Sequence, residues 1–155
     1  MIPKNSMAAA VAALSVTFGV SAALAQTAAT VDPTGKWQSV AKTDAQEAFV
    51  NLGSIVAAGA YVDAKVKQNY AQPQPAAKKD RTYLSSRNVY RFDCAQRKVG
   101  MKEIRTFPQA DLMGDAVDKA KFGDKNVQWV DAQERTVFGE LLDFVCRTPA
   151  ATPAG

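Results

Sequence analysis

Residues 60–70 read Ala-Tyr-Val-Asp-Ala-Lys-Val-Lys-Gln-Asn-Tyr, and their alternation sets the fold class. Val62, Ala64, Val66 and Tyr70 fall in one phase, and Asp63, Lys65, Lys67 and Asn69 in the other. Successive side chains of an extended chain point to opposite faces. A period of two held this long therefore describes an antiparallel-type strand with one face on a core and the other in water. On this reading Lys65 and Lys67 stand together on the wet face.

Working outward, residues 71–80 carry Pro73, Pro75 and the Lys78-Lys79 pair, which predicts an extended, exposed loop without regular structure. Residues 81–94 resume the strand pattern, with Tyr90, Phe92 and Cys94 on one side and Arg91 and Asp93 on the other, so that Cys94 points toward the core. A turn over residues 95–98 leads to a strand over 99–107, stopped by Pro108, and shorter strands are predicted over 116–122 and 126–130. On the N-terminal side, Pro33-Thr34-Gly35 marks a turn, and strands over 36–42 and 47–52 form a hairpin around Thr43-Asp44. Beyond residue 134 the period changes. Val137, Leu141, Phe144 and Val145 recur at helical spacing up to Cys146, with Asp131 and Glu134 at capping-box spacing and Gly139 weakening the interior. Residues 148–155, all Thr, Pro, Ala and Gly, read as a disordered tail. The expected architecture is α+β: an antiparallel sheet of about five to six strands with one C-terminal helix.

The chain begins with a secretory leader pattern. Lys4 precedes an apolar run over residues 7–20, and Ala23-Leu24-Ala25 supplies an A-x-A site, so cleavage is expected between Ala25 and Gln26. A membrane anchor is the poorer reading, since the run is short, rich in alanine and interrupted by Ser15, Thr17 and Gly19. No Arg-Arg pair precedes it, which points to the Sec route. With 1–25 as signal peptide and 26–35 as a flexible start, residues 36–147 make one domain, too short for two ordinary cores. The precursor has 19 basic against 15 acidic side chains, net +4, and cleavage removes one cation, Lys4. That modest charge in an exported chain does not argue for nucleic acid.

The two cysteines, Cys94 and Cys146, both lie after the leader, and an even pair in an oxidising compartment reads as a disulfide. A zinc site would need more ligands than two cysteines in a chain without histidine. The bridge would tie the helix end to the sheet face carrying Tyr90 and Phe92.

The same inventory weighs against catalysis. Without histidine there is no Ser-His or Cys-His pair, and bridged cysteines are not nucleophiles. No phosphate-cradling glycine loop or G-x-S-x-G elbow occurs, and the acids Asp93 and Glu103 read as solvated. No catalytic residue, metal or cofactor is expected. The candidate binding residues are Lys65, Lys67, Lys78, Lys79 and Arg81, a basic set suited to an anionic glycan or protein partner. The competing reading is that these charges keep an exported domain soluble and blunt its sheet edges.

The order of Trp37, the strand over residues 62–70 running into Ala71-Gln72-Pro73-Gln74, the 83–86 segment, Tyr90-Arg91-Phe92-Asp93-Cys94, residues 114–117, Trp129-Val130 and Phe144-Val145-Cys146 resembles the surface-adhesin protein E family. The resemblance spans about residues 36–147. It implies an antiparallel sheet with a disulfide-tethered C-terminal helix, and a non-enzymatic role in adhesion: display at the bacterial surface and binding of host matrix or serum proteins. Adhesive members of the family are lipoproteins with a lipidated first cysteine, whereas Gln26 stands at this cleavage site. A periplasmic or secreted protein that is not a lipoprotein is therefore expected, and an envelope-maintenance role without a host ligand is the alternative.

Overall fold

The computed structural model describes residues 36–151. The expected leader and the segment 26–35 lie outside them, as does the end of the tail. The elements are β1 (Trp37–Lys42), β2 (Gln46–Asn51), β3 (Val56–Ala58), β4 (Tyr61–Pro75), β5 (Thr82–Asp93), β6 (Lys98–Phe107), β7 (Asp118–Lys121), β8 (Trp129–Asp131) and one helix, α1 (Val137–Arg147). Every strand pairing is antiparallel, in the order β1-β2-β4-β5-β6-β7. Both flanks are divided: β4 pairs with β3 and then β2, and β6 with β8 and then β7. The eight strands exceed the expected five to six; β8 falls on the short strand predicted over 126–130, whereas β3, three residues long, is too short to show a period and has no predicted counterpart.

The phase read from residues 60–70 holds at its apolar positions. Val62, Ala64 and Val66 stand opposite Phe92, Tyr90 and Asn88, and Phe92 continues to Val99. This face carries α1, whose Leu141, Leu142 and Val145 are buried with Val50, Ile55, Val66 and Phe92 in one core. Each side chain of that size contributes about 1.5–3 kcal/mol relative to exposure. Tyr90 meets Phe138 edge to face at 5.5 Å. The Cys94–Cys146 disulfide (S–S 2.04 Å, Cα–Cα 5.8 Å) fastens the end of α1 to the end of β5. Cys94 itself is exposed, not turned inward as the alternation predicts, because β5 ends at Asp93 and Cys94 already belongs to the turn.

Three other expectations are corrected. The prolines at 73 and 75 do not end β4. Its register with β5 slips between Asn69 and Gln74 and resumes as Gln74↔Tyr83 and Pro75↔Thr82, beyond the end of β2, where edge positions tolerate proline. Asp131 does not cap α1 because it is committed to the ladder opposite Lys98; Thr136 is the N-cap, its Oγ1 accepting from the Gly139 N–H at 3.1 Å. Residues 148–151 are tied down: the Ala151 N–H donates to the Ile55 carbonyl at 2.9 Å, and Ala151 bridges Val56 in parallel.

Gly139 has a packing reason that propensity hides. Helix propensity alone predicts that Gly139→Ala stabilises α1 by about 1 kcal/mol. A Cβ there would overlap the backbone carbonyl of Gln133, and a backbone neighbour yields less readily than a side chain. We expect Gly139→Ala to be destabilising by about 2 kcal/mol in urea unfolding; a stabilised variant would show that the approach of Gln133 is not tight.

Candidate functional site

The face of the sheet opposite α1 is built from the second phase. Its register sets four cations side by side across four strands: Lys67 opposite Arg87, Arg87 opposite Arg105, and Arg105 opposite Lys119. The neighbouring row runs Lys65, Val89, Glu103, Lys121. Neighbouring strands lie about 4.8 Å apart, so Arg87, Arg105 and Lys119 are spaced at that interval. Like charges directly opposite each other in a sheet are destabilising. Stability alone therefore gives no reason for this row.

One carboxylate serves three of these cations. Glu103, only 19% exposed, has its oxygens 3.8 Å from Arg87 Nη2, 3.3 Å from Arg105 Nε and 3.4 Å from Lys121 Nζ. Arg105 Nε is buried but is not aligned for a hydrogen bond. Lys65 and Lys119 are exposed and make no ion pair among the described residues. Arg105, Lys119, Lys121 and Glu103 border a shallow, open depression over β6 and β7.

Of the sequence-predicted residues, only Lys65 lies on this exposed area. Lys67 is buried, not on a wet face, because the chain between β6 and β7 folds over that end of the sheet. Lys67 Nζ donates to Asp111 Oδ1 at 2.8 Å and lies 4.3 Å from the Phe49 ring centre and 5.7 Å from that of Trp37. The crossing chain is further fixed by Asn69 Nδ2 donating to the same carboxylate, and by Ser85 Oγ, which donates to the Gln109 carbonyl and accepts from the Leu112 N–H. Asp111 and Leu112 both have left-handed backbone (φ 54° and 64°), a conformation held by these contacts. Lys78, Lys79 and Arg81 sit in the exposed turn between β4 and β5. That turn is tied to Asp118 Oδ2, which accepts from the N–H groups of Ala77 and Lys78 at 2.7 and 3.4 Å. By register Asp118 shares the phase of buried Thr106 on the helix side, so the turn and Lys65 do not make one patch.

Arg91 is spoken for. It forms a two-pronged pair with Asp63, at 2.8 Å from both Nε and Nη2, and reaches Asp124 through Nη1, an acid that Lys102 also contacts. Burial notwithstanding, the hydrogen bond to Asp63 raises the guanidinium above its ordinary range. Trp37 and Trp129 both lie on this open side: the Trp129 ring packs at a tilt on Tyr61, centres 5.2 Å apart, and covers Gly100.

The Lys67–Asp111 pair gives an acid signature. The Lys67 hydrogen bond, then that of Asn69, hold the Asp111 carboxyl below its ordinary range. A depressed folded-state value means that this stabilisation is full above about pH 4 and is lost as pH falls through the folded value. Asp111→Asn should cost about 1 kcal/mol at neutral pH, the pair lying at the solvent boundary, and should flatten the acid limb of the stability curve followed by tryptophan fluorescence.

On the helix side, a cavity of about 450 Å³ opens between Tyr90, Val99, Met101, Phe122, Val130 and Phe138. Its lining, which also includes the amides of Asn126 and Gln128, carries no ionised group. No helix among the described residues is long and apolar enough to cross a membrane, and no metal-ligating cluster occurs among them.

A family model described as surface-adhesin protein E matches residues 37–147. No curated protein matches the chain. Among solved structures, Haemophilus influenzae protein E is similar in fold. One structure has a TM-score of 0.52 at 13% identity, covering 77% of this chain and 89% of that one. A second crystal form gives 0.54 at 13% identity, covering 77% and 93%.

Proposed function

Because the chain belongs to the surface-adhesin protein E family, we propose that it is an exported, non-enzymatic binding domain that acts by macromolecular contact through the open face of its sheet. Family membership supports an adhesin-like role. The observation that carries the choice of surface is the register that lines up Arg87, Arg105 and Lys119, with Lys65 and Lys121 in the next row. A partner that brings negative charge offsets the repulsion this row imposes on the free protein. Lys78, Lys79 and Arg81 form a separate, secondary contact on the β4–β5 turn. The Sec leader, cut before Gln26, delivers the domain across the inner membrane without a lipid anchor, and host matrix or serum proteins or glycans are its partners.

The test joins location and contact. In intact cells a tagged protein should be open to added protease, and the purified domain should bind immobilised laminin or vitronectin with an affinity that falls as salt rises. The variant carrying Lys65→Glu, Arg87→Glu, Arg105→Glu and Lys119→Glu should lose at least tenfold in that binding while keeping its circular dichroism spectrum. A protected periplasmic pool would favour the envelope-maintenance role, and binding that survives both salt and charge reversal would remove the open face from the mechanism.

A further inference from the structure

We propose that the cation row is a binding track for a linear sulfated polysaccharide, which lies across the strands of β5, β6 and β7 over Arg87, Arg105 and Lys119 and is flanked by Lys121 and Lys65. This inference rests on the proposed role of the open face and names the class of partner that face takes.

Two features select this chemistry. Within the two rows five cations stand around a single acid, Glu103, which is itself mostly buried; the nearest other acids of the face, Asp63 and Asp124, are paired with Arg91. Around them the face offers Val89 and the half-buried Phe107, while Trp37 and Phe49 close over Lys67 and the tilted Tyr61–Trp129 pair lies at the β8 end, over Gly100; no exposed aromatic stands among the five cations. Protein interfaces draw most of their energy from buried aromatic and arginine anchors in desolvated pockets, and such pockets are missing here. A partner held by charge alone must carry dense negative charge along its length, as a sulfated chain does. The second feature is preorganisation. The shared contact with Glu103 holds Arg87, Arg105 and Lys121 together before any ligand arrives, which lowers the ordering cost of binding. Two of the three cations of the row, Arg87 and Arg105, carry planar guanidinium groups, whose fork matches two oxygens of one sulfate group.

The row also predicts an unusual pairing of effects. Removing cations from it should weaken ligand binding and change folding little, because the relief of repulsion between opposed like charges offsets the lost contacts of Arg87 and Arg105 with Glu103, which keeps Lys121. Heparin, as the sulfated probe, should bind the full domain in calorimetry with a salt-dependent constant. The triple variant Arg87→Gln, Arg105→Gln, Lys119→Gln should bind at least tenfold more weakly at 0.15 M salt, on the order of 1.4 kcal/mol per tenfold, with a thermal midpoint close to that of the parent. A charge-matched control, Lys78→Gln, Lys79→Gln, Arg81→Gln, should lose much less. Equal loss in the two triple variants would show diffuse attraction and overturn the track. So would equal binding of desulfated heparin, of polyglutamate or of vesicles containing anionic lipid. Row-dependent binding to laminin or vitronectin without any to heparin would overturn the polysaccharide and leave the open face as the binding surface; row-independent binding throughout would overturn both.

Discussion

Changing Cys94 to Ser is expected to lower the stability of the domain by about 4 kcal/mol, within the 2–5 kcal/mol typical for loss of a native bridge in a small exported domain. The bridged residues are 52 positions apart, so the bond restricts a long segment of the unfolded chain, and loop-closure entropy gives about that value for such a loop. In the folded state the bond joins the last turn of α1 to the end of β5, where Val145 and Leu142 are already buried. The helix therefore does not leave its groove in the variant; it loses its tether, and the C-terminal strap formed by residues 148–151 loosens with it. A domain near this size shifts its thermal midpoint by about 4 °C per kcal/mol. Oxidised and reduced forms should thus differ by about 15 °C in a thermal scan, with hydrogen exchange faster in α1 than in β4 and β5. Coincident melting curves would show that the bridge adds nothing to the stability of the sheet.

The elements that show in the sequence are those whose pattern is local. The alternation of residues 60–70 places Val62, Ala64 and Val66 on the core, and the spacing of Val137, Leu141 and Val145 places the helix face, because each depends only on the period of its own segment. The disulfide follows from a count of two cysteines in an exported chain. The candidate site was much less legible. Period two puts Lys65 and Lys67 in the same phase, yet only the path of the chain between β6 and β7, pinned by Asp111, decides that one is exposed and the other buried. Arg87, Arg105 and Lys119 come from three strands and meet only through cross-strand register, which no single strand encodes. The Lys119-Ala120-Lys121 alternation was the one local hint, since two lysines two apart on a strand must share a face.

A second lapse in the pattern points to the other large effect. Gln68 sits in the apolar phase of β4, between Val66 and Tyr70, and the structure buries it with Asn88, Ser86 and Thr106 next to the hydrophobic core. Gln68 Oε1 accepts from Asn88 Nδ2 at 2.7 Å, Tyr90 Oη at 3.2 Å and Tyr70 Oη at 3.4 Å, while its Nε2 donates to Gln46. One side-chain oxygen thus satisfies three donors, of which Tyr90 and Asn88 are almost wholly inaccessible to water. Gln68→Leu keeps the volume and removes the acceptor. Each buried donor left without a partner costs about 1–3 kcal/mol; Tyr70 and Asn88 retain Ser86, whereas Tyr90 retains nothing. The expected loss is about 3 kcal/mol in urea unfolding, with the slope unchanged. Tyr90→Phe in the same chain should restore a large part of it, since a paired apolar replacement leaves no orphan. Burial pushes the Tyr90 phenol well above its ordinary range. Its folded value being raised, its contribution is full below about pH 10 and is lost as pH rises beyond that, so Tyr90→Phe should also extend stability on the alkaline side. A Gln68→Leu domain as stable as the parent would mean that Tyr90 finds another acceptor, and the network would then be a consequence of the packing and not one of its causes.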